Sequence, residues 1–158
     1  MHSALTACRL CPKKDGRSGG MGRSRGGLTS KIHALVDAEG RPMALKITEG
    51  QEHDGRAAAD MLGGLGAGQI LLGDRAYDSD VLRTRMAEQG AWANVKPMPD
   101  RKQVLAFSPL LYKYRNLVER FFSKIKHFRA VATSYDKDPD NFLVSVKLAA
   151  LRVWLRAL

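Results

Sequence analysis

The alternation of apolar and polar residues predicts short strands separated by helices. Residues 31–48 alternate on both sides of the turn Ala38–Pro42, which predicts a β-hairpin. The apolar run 69–74 ends in Asp74 and is typical of a buried strand that runs parallel to its neighbours. Residues 91–95 predict one more strand.

Helical periodicity or helix-start signals mark four further segments. The predicted helices are 53–65, 79–89, 110–128 and 139–157. The third has an apolar stripe at helical spacing, made of Leu117, Phe121, Ile125 and Phe128. Asp78 is expected to cap the second, and Trp92 and Trp154 are expected in the core. The order β-β-α-β-α-β-α-α predicts an α/β domain whose helices cover a sheet.

The length and the charge distribution narrow the class of protein. With 158 residues the chain can form one domain, taken here as 1–158, with a core of its own. Its 44% hydrophobic residues and two cysteines exclude wholesale disorder and a disulfide scaffold. The net charge of +10 indicates a polyanionic partner.

The basic residues lie in two blocks around an acidic middle. The net charge is +6 over residues 1–31, −4 over 32–100 and +7 over 101–137. Such a pattern suits an enzyme that holds phosphates and acts on them with metal ions, although a solvated basic surface would look the same. Residues 9–30 are rich in Gly, Ser, Arg and Lys and predict a flexible basic loop.

Nothing in the sequence predicts a membrane or secretory location. No apolar run approaches the roughly 18 residues of a membrane span, and the first residues do not resemble a signal peptide. We therefore expect a cytoplasmic protein with no membrane partner.

The candidate catalytic and binding residues lie at the end of one predicted strand and on one face of one predicted helix. Asp74 ends a buried strand, where α/β folds bind ligands, although it could equally cap a turn. Tyr112, Arg115, Glu119 and Lys126 lie within about 40° of one line on the predicted helix. This face could hold a metal ion and phosphates, or it could be a solvated surface with one i,i+4 ion pair worth about 0.3–0.5 kcal/mol.

These residues resemble the signature of a known family. The pattern Tyr112-x2-Arg115-x3-Glu119-x6-Lys126 is similar to that of bacterial insertion-sequence transposases of the DDE type. The segments GRSRGGLTSKIHALVDAEGRP, GDRAYDSD and YKYRNLVERFFSKIKHFRAVATSYDK resemble the IS5-type group within the IS4/IS5 superfamily.

The resemblance implies a fold and a site. The fold would be an RNase H-like mixed sheet flanked by helices and truncated at the N-terminus. Three acids would hold two Mg²⁺ or Mn²⁺ ions, with Asp74 as the second acid and Glu119 as the third. Tyr112, Arg115 and Lys126 would lie near the DNA end. Contacts to DNA phosphates are also expected from the loop residues Arg23 and Arg25.

The resemblance also implies an activity and partners. The chain would catalyse metal-dependent strand cleavage and strand transfer during DNA transposition, on the ends of its element and on target DNA. It would act as a homo-oligomer, or together with a more complete transposase or with a protein encoded by an upstream reading frame. It would be located in the bacterial cytoplasm, at the nucleoid.

One feature departs from the family pattern. His2 stands where the family has the first acid, on the first strand, and loss of that strand would remove the centre of the sheet. Asp15 and Asp37 are poor replacements, because one lies in the loop and the other at a hairpin end. The alternative function is therefore a catalytically impaired, DNA-binding remnant that lacks the first acidic residue.

Two other motifs carry open alternatives. Cys8 and Cys11 have the spacing of half a zinc site, but the sequence has no second cysteine pair to complete it, which favours two free thiols. His53 and Asp54 could start a helix or lie near the metal site. The glycine-rich stretch 22–27 lacks the order of a nucleotide-binding loop.

Overall fold

The computed structural model describes residues 2–10, 22–24, 27–49, 52, 54–129, 131 and 138–155, and side chains from residue 30 onward except 56 and 57. The strands are β1 His2–Leu10, β2 Gly22–Ser24, β3 Gly27–Val36, β4 Pro42–Glu49, β5 Ile70–Gly73 and β6 Trp92–Val95. The helices are α1 Asp54–Met61, α2 Asp80–Glu88, α3 Pro109–Tyr112, α4 Asn116–Lys126 and α5 Pro139–Leu155. Short 3₁₀ turns span Leu62–Gly64, Arg75–Tyr77 and Lys113–Arg115.

The strands form a mixed sheet with β1 at its centre. The order is β4-β3-β1-β5-β6, and β2 pairs with the beginning of β3. Strands β1, β5 and β6 are parallel, while β3 is antiparallel to both β1 and β4. This is the RNase H-like arrangement, so the predicted fold class is confirmed. The central strand β1, whose loss the sequence left open, is present.

The predicted hairpin is formed by β3 and β4. Its turn is closed by Asp37, whose Oδ1 accepts hydrogen bonds from the backbone N–H groups of Glu39 (3.0 Å) and Arg41 (2.9 Å). Gly40 adopts a φ of +78°, which glycine tolerates without strain. The turn therefore depends on one carboxylate and one glycine that the sequence already marked.

Helices cover both faces of the sheet. On one face α4 packs against β1 and β3, and α5 packs against β4 and α4. The buried residues on this face are Ile32, Ala34, Val36, Leu72, Val118, Phe121, Phe122, Ile125, Val131, Phe142, Val146, Ala149, Ala150 and Val153. On the other face the buried residues of the strands, α1, α2 and their turns are Leu35, Ala58, Met61, Leu62, Leu65, Leu71, Tyr77, Leu82, Met86, Ala91, Ala93 and Val95. The predicted strand alternation is thus confirmed, with both faces buried.

Two helix predictions need correction. The segment 110–128 is helical, but the 3₁₀ turn Lys113–Arg115 separates α3 from α4. The cap of α2 is Ser79, whose Oγ accepts from the N–H of Leu82 at 3.2 Å. Asp78 is not the cap, because its carboxylate is already bound to two arginines.

The two tryptophans are half-buried rather than fully in the core. The indole Nε1 of Trp154 donates to the carbonyl of Pro42 at 2.9 Å, and the guanidinium of Arg41 lies 4.7 Å from its ring centroid. Trp154 therefore joins α5 to the start of β4.

The segment 9–30 is in part strand where a loop was predicted. Its first residues end β1, and 22–24 and 27–30 belong to β2 and β3. Asp15, Cys11, Arg25 and His53 lie outside the described residues. Among the helices described, none is long and apolar enough to cross a membrane.

Candidate active site

Asp74 follows β5 at the carboxyl edge of the parallel strands. Leu71 and Leu72 of this strand are fully buried, which fixes its position between β1 and β6. A Cβ placed on Gly73 would lie 2.9 Å from Cγ2 of Val95, so a larger residue here would force the Val95 side chain to shift. The residue type at 73 thus sets where the carboxylate of Asp74 emerges.

Two side chains from the α3 region bind the carboxylate of Asp74. The hydroxyl of Tyr112 donates to Oδ1 at 3.0 Å, and Nη1 of Arg115 donates to Oδ2 at 3.1 Å. In a 3₁₀ turn residues i and i+3 lie one above the other. The turn Lys113–Arg115 therefore directs Tyr112 and Arg115 to the same carboxylate.

Arg115 also binds Glu119, so one guanidinium joins both candidate acids. Its Nη2 donates to Oε1 of Glu119 at 2.6 Å. The Asp74 side chain is 40% exposed and the Glu119 side chain 56%, while Arg115 is 19% exposed. Two carboxylates from distant parts of the chain therefore face solvent around one partly buried guanidinium.

Burial and charge act on the phenol of this group. Burial raises the pKa of Tyr112 above its ordinary value, and the neighbouring carboxylate of Asp74 raises it further. The ring of Phe107 packs edge-on against Tyr112 at 5.4 Å between centroids. Tyr112 consequently remains a neutral hydrogen-bond donor held in a fixed orientation.

Asn94 is a positioning residue that the sequence analysis missed. It is fully buried in β6, and its amide makes two hydrogen bonds to the backbone of Ser108, at 2.7 and 3.1 Å. The Oγ of Ser108 in turn accepts from the N–H of Leu111 at the start of α3. The signal available in the sequence was a polar residue inside an apolar strand. Asn94 anchors the start of α3, the helix that carries Tyr112.

A second buried network holds the turn that follows Asp74. The hydroxyl of Tyr77 lies 3.0 Å from Nδ1 of His33, and Nε2 of His33 lies 2.8 Å from Oγ1 of Thr48. We assign the proton to Nε2, because the Thr48 hydroxyl donates to the carbonyl of Glu49 and its oxygen is then free to accept. This network ties the turn Arg75–Tyr77 to the β3–β4 hairpin.

The buried histidine predicts a pH dependence of stability. Burial lowers the pKa of His33 from 6.5 to about 4. The unfolded chain therefore binds more protons than the folded chain between pH 4 and 6.5, and stability falls as the pH falls through this range. We expect the free energy of unfolding, measured by urea titration, to drop by about 2 kcal/mol from pH 7 to pH 5.

Two variants isolate this effect. His33→Gln should lose most of the pH slope between 7 and 5, whereas His127→Gln should keep it, because His127 is exposed. An unchanged slope in His33→Gln would show that His33 is not the group responsible.

Asp78 forms a buried ion cluster beside the site. Its side chain is fully buried; Oδ1 accepts from Nε of Arg83 at 2.9 Å, and Oδ2 accepts from Nε of Arg101 at 2.6 Å and from the N–H of Met98 at 2.8 Å. Burial alone would raise the pKa of Asp78, but these hydrogen bonds outweigh it and hold the pKa below its ordinary value. Arg83 further donates to the carbonyl of Val95.

The other predicted residues lie apart from this group. Lys126 is exposed at the end of α4, seven residues and about 10 Å along the helix from Glu119. Arg23 lies in β2, with its side chain outside the described part, and Arg25 lies outside it altogether. His2 pairs with Ile70, four residues before Asp74 and about 13 Å along the strand.

The donor set fits a hard divalent cation. Carboxylate oxygens are the ligands that Mg²⁺ prefers, and Mg²⁺ is commonly held by one or two carboxylates, with water completing its shell. Asp74 and Glu119 supply such a pair, because both bind one guanidinium. Within the described residues, no group of three or more His, Cys, Asp or Glu is arranged to hold a metal ion.

Comparison with known families decides the assignment. The sequence profile described as the transposase DDE domain matches residues 5–154. The chain belongs to the DDE transposase family. Over 131 residues it is 40% identical to a protein of Brucella ovis that is named as a transposase for insertion sequence element IS6501. That alignment covers 82% of this chain and 100% of the relative. The resemblance to DDE transposases is therefore confirmed.

Proposed function

We propose that this DDE transposase cleaves and joins DNA strands, with Asp74 and Glu119 as ligands of Mg²⁺ or Mn²⁺. The observation that carries the proposal is the single guanidinium shared by Oδ2 of Asp74 and Oε1 of Glu119. Because one guanidinium binds both carboxylates, they converge on one position, where a metal ion would take the place of Arg115 and draw the two oxygens closer together. The Arg115 contact offsets one of the two negative charges in the absence of metal.

The bound metal would supply a Lewis acid that activates a hydroxyl nucleophile and stabilises the leaving oxygen at phosphorus. The side chains around the site orient the two carboxylates and offset part of their negative charge. Tyr112 binds Oδ1 of Asp74, while Oδ2 accepts from the guanidinium that also binds Glu119. Arg115 would contact a phosphate oxygen with the same guanidinium fork that binds the two carboxylates.

DNA is the proposed partner, and its phosphates account for the basic residues. The block 101–137 has a net charge of +7 and contains the helix that carries Glu119. Lys126 would extend the site along the DNA backbone. Arg23 and Arg25 remain proposed phosphate contacts on the strength of the sequence. We further propose membership of the IS5-type group, from the motifs quoted above, and action at the bacterial nucleoid.

Lys126 provides a quantitative test of phosphate binding. For Lys126→Gln we expect weaker binding to all duplex sequences alike and a slope of log K against log salt that is smaller by about 0.9. Fluorescence anisotropy with a labelled duplex at four salt concentrations measures both. Lys124→Gln is the matched control, because Lys124 is also exposed but lies about 140° from Glu119 and about 160° from Lys126 around α4. Equal slopes for the two variants would remove Lys126 from the interface.

The proposed activity is tested by nicking of supercoiled plasmid with the purified chain. We expect nicked circles in Mg²⁺ or Mn²⁺ and none in EDTA or Ca²⁺. A parallel assay with a pre-cut element end and target plasmid reads strand transfer. Absence of nicking in every metal, from protein that still binds DNA, would contradict the proposed activity.

The substitution His2→Asp distinguishes the proposed activity from the alternative function, a DNA-binding remnant. Nicking by His2→Asp but not by the native chain would identify a DNA-binding remnant disabled at its first acid. The register of β1 against β5 pairs His2 with Ile70, about 13 Å along the strand from the level of Asp74, so we expect His2→Asp and the native chain to behave alike.

A further inference from the structure

The guanidinium of Arg115 contacts three side chains of the site at once. Nη1 donates to Oδ2 of Asp74 and Nη2 donates to Oε1 of Glu119. The central carbon Cζ lies 5.5 Å from the ring centroid of Tyr112, which is within the range of a cation–π contact. Both terminal nitrogens of the guanidinium are therefore directed at the two carboxylates that are proposed as metal ligands.

The charge of this group is unfavourable for DNA. Two carboxylates and one guanidinium give it a net charge of −1, and the carboxylates are more exposed than the guanidinium. A DNA strand that approaches from solvent meets the negative groups first, and its phosphates are repelled. A divalent cation bound by both acids would change the net charge to +1 and make the same position attractive to a phosphate.

The guanidinium occupies the position that a shared metal ion requires. The oxygens that converge there are Oδ2 of Asp74 and Oε1 of Glu119, and both accept from Arg115. A divalent cation at that position would repel the guanidinium, because the two charges are alike. A guanidinium whose two terminal nitrogens bind carboxylates also cannot form a bidentate contact with a phosphate. Departure of Arg115 from the carboxylates therefore serves both ligands.

We propose that Arg115 couples metal binding to DNA binding by exchanging its partners. Arg115 leaves the two carboxylates when they bind a metal ion, and its guanidinium then binds a phosphate oxygen of the DNA. The inference rests on the proposed function, since it takes Asp74 and Glu119 as metal ligands and DNA as the partner. Linkage requires that the metal ion and the DNA raise each other's affinity by the same factor.

Mn²⁺ binding to the protein without DNA, followed by electron paramagnetic resonance, tests the first half of the exchange. Arg115→Gln is expected to bind Mn²⁺ about fivefold more tightly than the native chain, because no guanidinium competes for the carboxylates. A residue that only supports the fold would not tighten metal binding when it is replaced. Arg115→Lys keeps the charge but loses the fork, and its affinity should lie between the two.

Lys113→Gln is the matched control for the loss of a positive charge. Lys113 lies in the same 3₁₀ turn and is exposed, but it is directed about 120° away from Arg115 around that turn. Its replacement should leave the Mn²⁺ affinity at the native value. Melting curves of all the variants establish that they are folded, and Arg115→Lys carries the test if Arg115→Gln does not fold.

The affinity for a labelled duplex, measured by fluorescence anisotropy in EDTA and in Mn²⁺, tests the second half. The native chain should gain about fivefold in DNA affinity when Mn²⁺ is added. Asp74→Asn measures how far Mn²⁺ acts on the DNA itself, and its change is subtracted. The remaining gain should be at least threefold smaller in Arg115→Gln than in the native chain, and it should be kept in Lys113→Gln.

The outcomes separate this inference from the proposed function. Equal Mn²⁺ affinities of the native chain and Arg115→Gln, or equal gains in DNA affinity, would overturn the exchange and leave the metal site and the DNA partner in place. A native chain that bound neither Mn²⁺ nor DNA would contradict the proposed function, and the exchange would fail with it.

Discussion

Asp74→Asn is expected to lower metal-dependent nicking by roughly 10³-fold while leaving DNA binding intact. Replacing a carboxylate by an amide removes a charged ligand from the proposed metal site. A loss of about 4 kcal/mol in the barrier corresponds to that factor. The amide oxygen can still accept from Tyr112, so the fold should be kept. Glu119→Gln should give a loss of similar size, because the two carboxylates are proposed to hold the same ions.

Matched controls separate this effect from a general loss of negative charge. Asp100→Asn and Glu88→Gln alter exposed acids elsewhere on the surface and should nick at the native rate. Initial rates of plasmid nicking in Mn²⁺, with DNA affinity measured on the same preparations, provide the comparison. Native rates in both Asp74→Asn and Glu119→Gln would contradict the assignment of the site.

Asp78→Asn is expected to cause the largest loss of stability. The fully buried carboxylate neutralises two guanidinium groups that are themselves mostly buried, Arg83 at 15% and Arg101 at 18% exposed. Removing one member of a buried ion cluster leaves the others uncompensated, which typically costs about 3–5 kcal/mol. For a chain of this length the melting temperature should fall by about 10 °C.

A neighbouring acid supplies the control for Asp78. Asp80 also binds Arg101, at 2.6 Å, but its side chain is 83% exposed. Asp80→Asn should change the melting temperature by no more than about 2 °C, because exposed ion pairs contribute little. Equal effects from the two substitutions would show that burial does not decide the role of Asp78. Circular dichroism melts of both variants beside the native chain make the comparison.

The sequence predicted the parts of the fold that periodicity encodes. The β3–β4 hairpin, the strand before Asp74 and the long final helix all carry repeating apolar positions, and the structure confirms them. The segment 9–30 was predicted as a loop, because its glycines and arginines show no alternation. The pairing of 22–24 and 27–29 comes from contact between two parts of the segment, which periodicity does not record.

The candidate site was partly predictable for a similar reason. Tyr112, Arg115 and Glu119 share one face of a helical segment, so their proximity follows from spacing alone. That Asp74 meets them depends on sheet order, which the resemblance suggested. Asp78 was misassigned as a helix cap, because its partners Arg83 and Arg101 lie 5 and 23 residues away. Asn94 and His33 act through buried contacts with distant residues; a polar residue in an apolar strand marks Asn94 as unusual but does not identify its partner Ser108.

The most direct test of the central claim is Mn²⁺ binding followed by electron paramagnetic resonance, in the absence of DNA. The account predicts saturable Mn²⁺ binding by the native chain that is lost in Asp74→Asn and in Glu119→Gln and kept in Asp100→Asn. It would be contradicted if the native chain and the two site variants bound Mn²⁺ alike, because the carboxylate pair around Arg115 would then not be a metal centre.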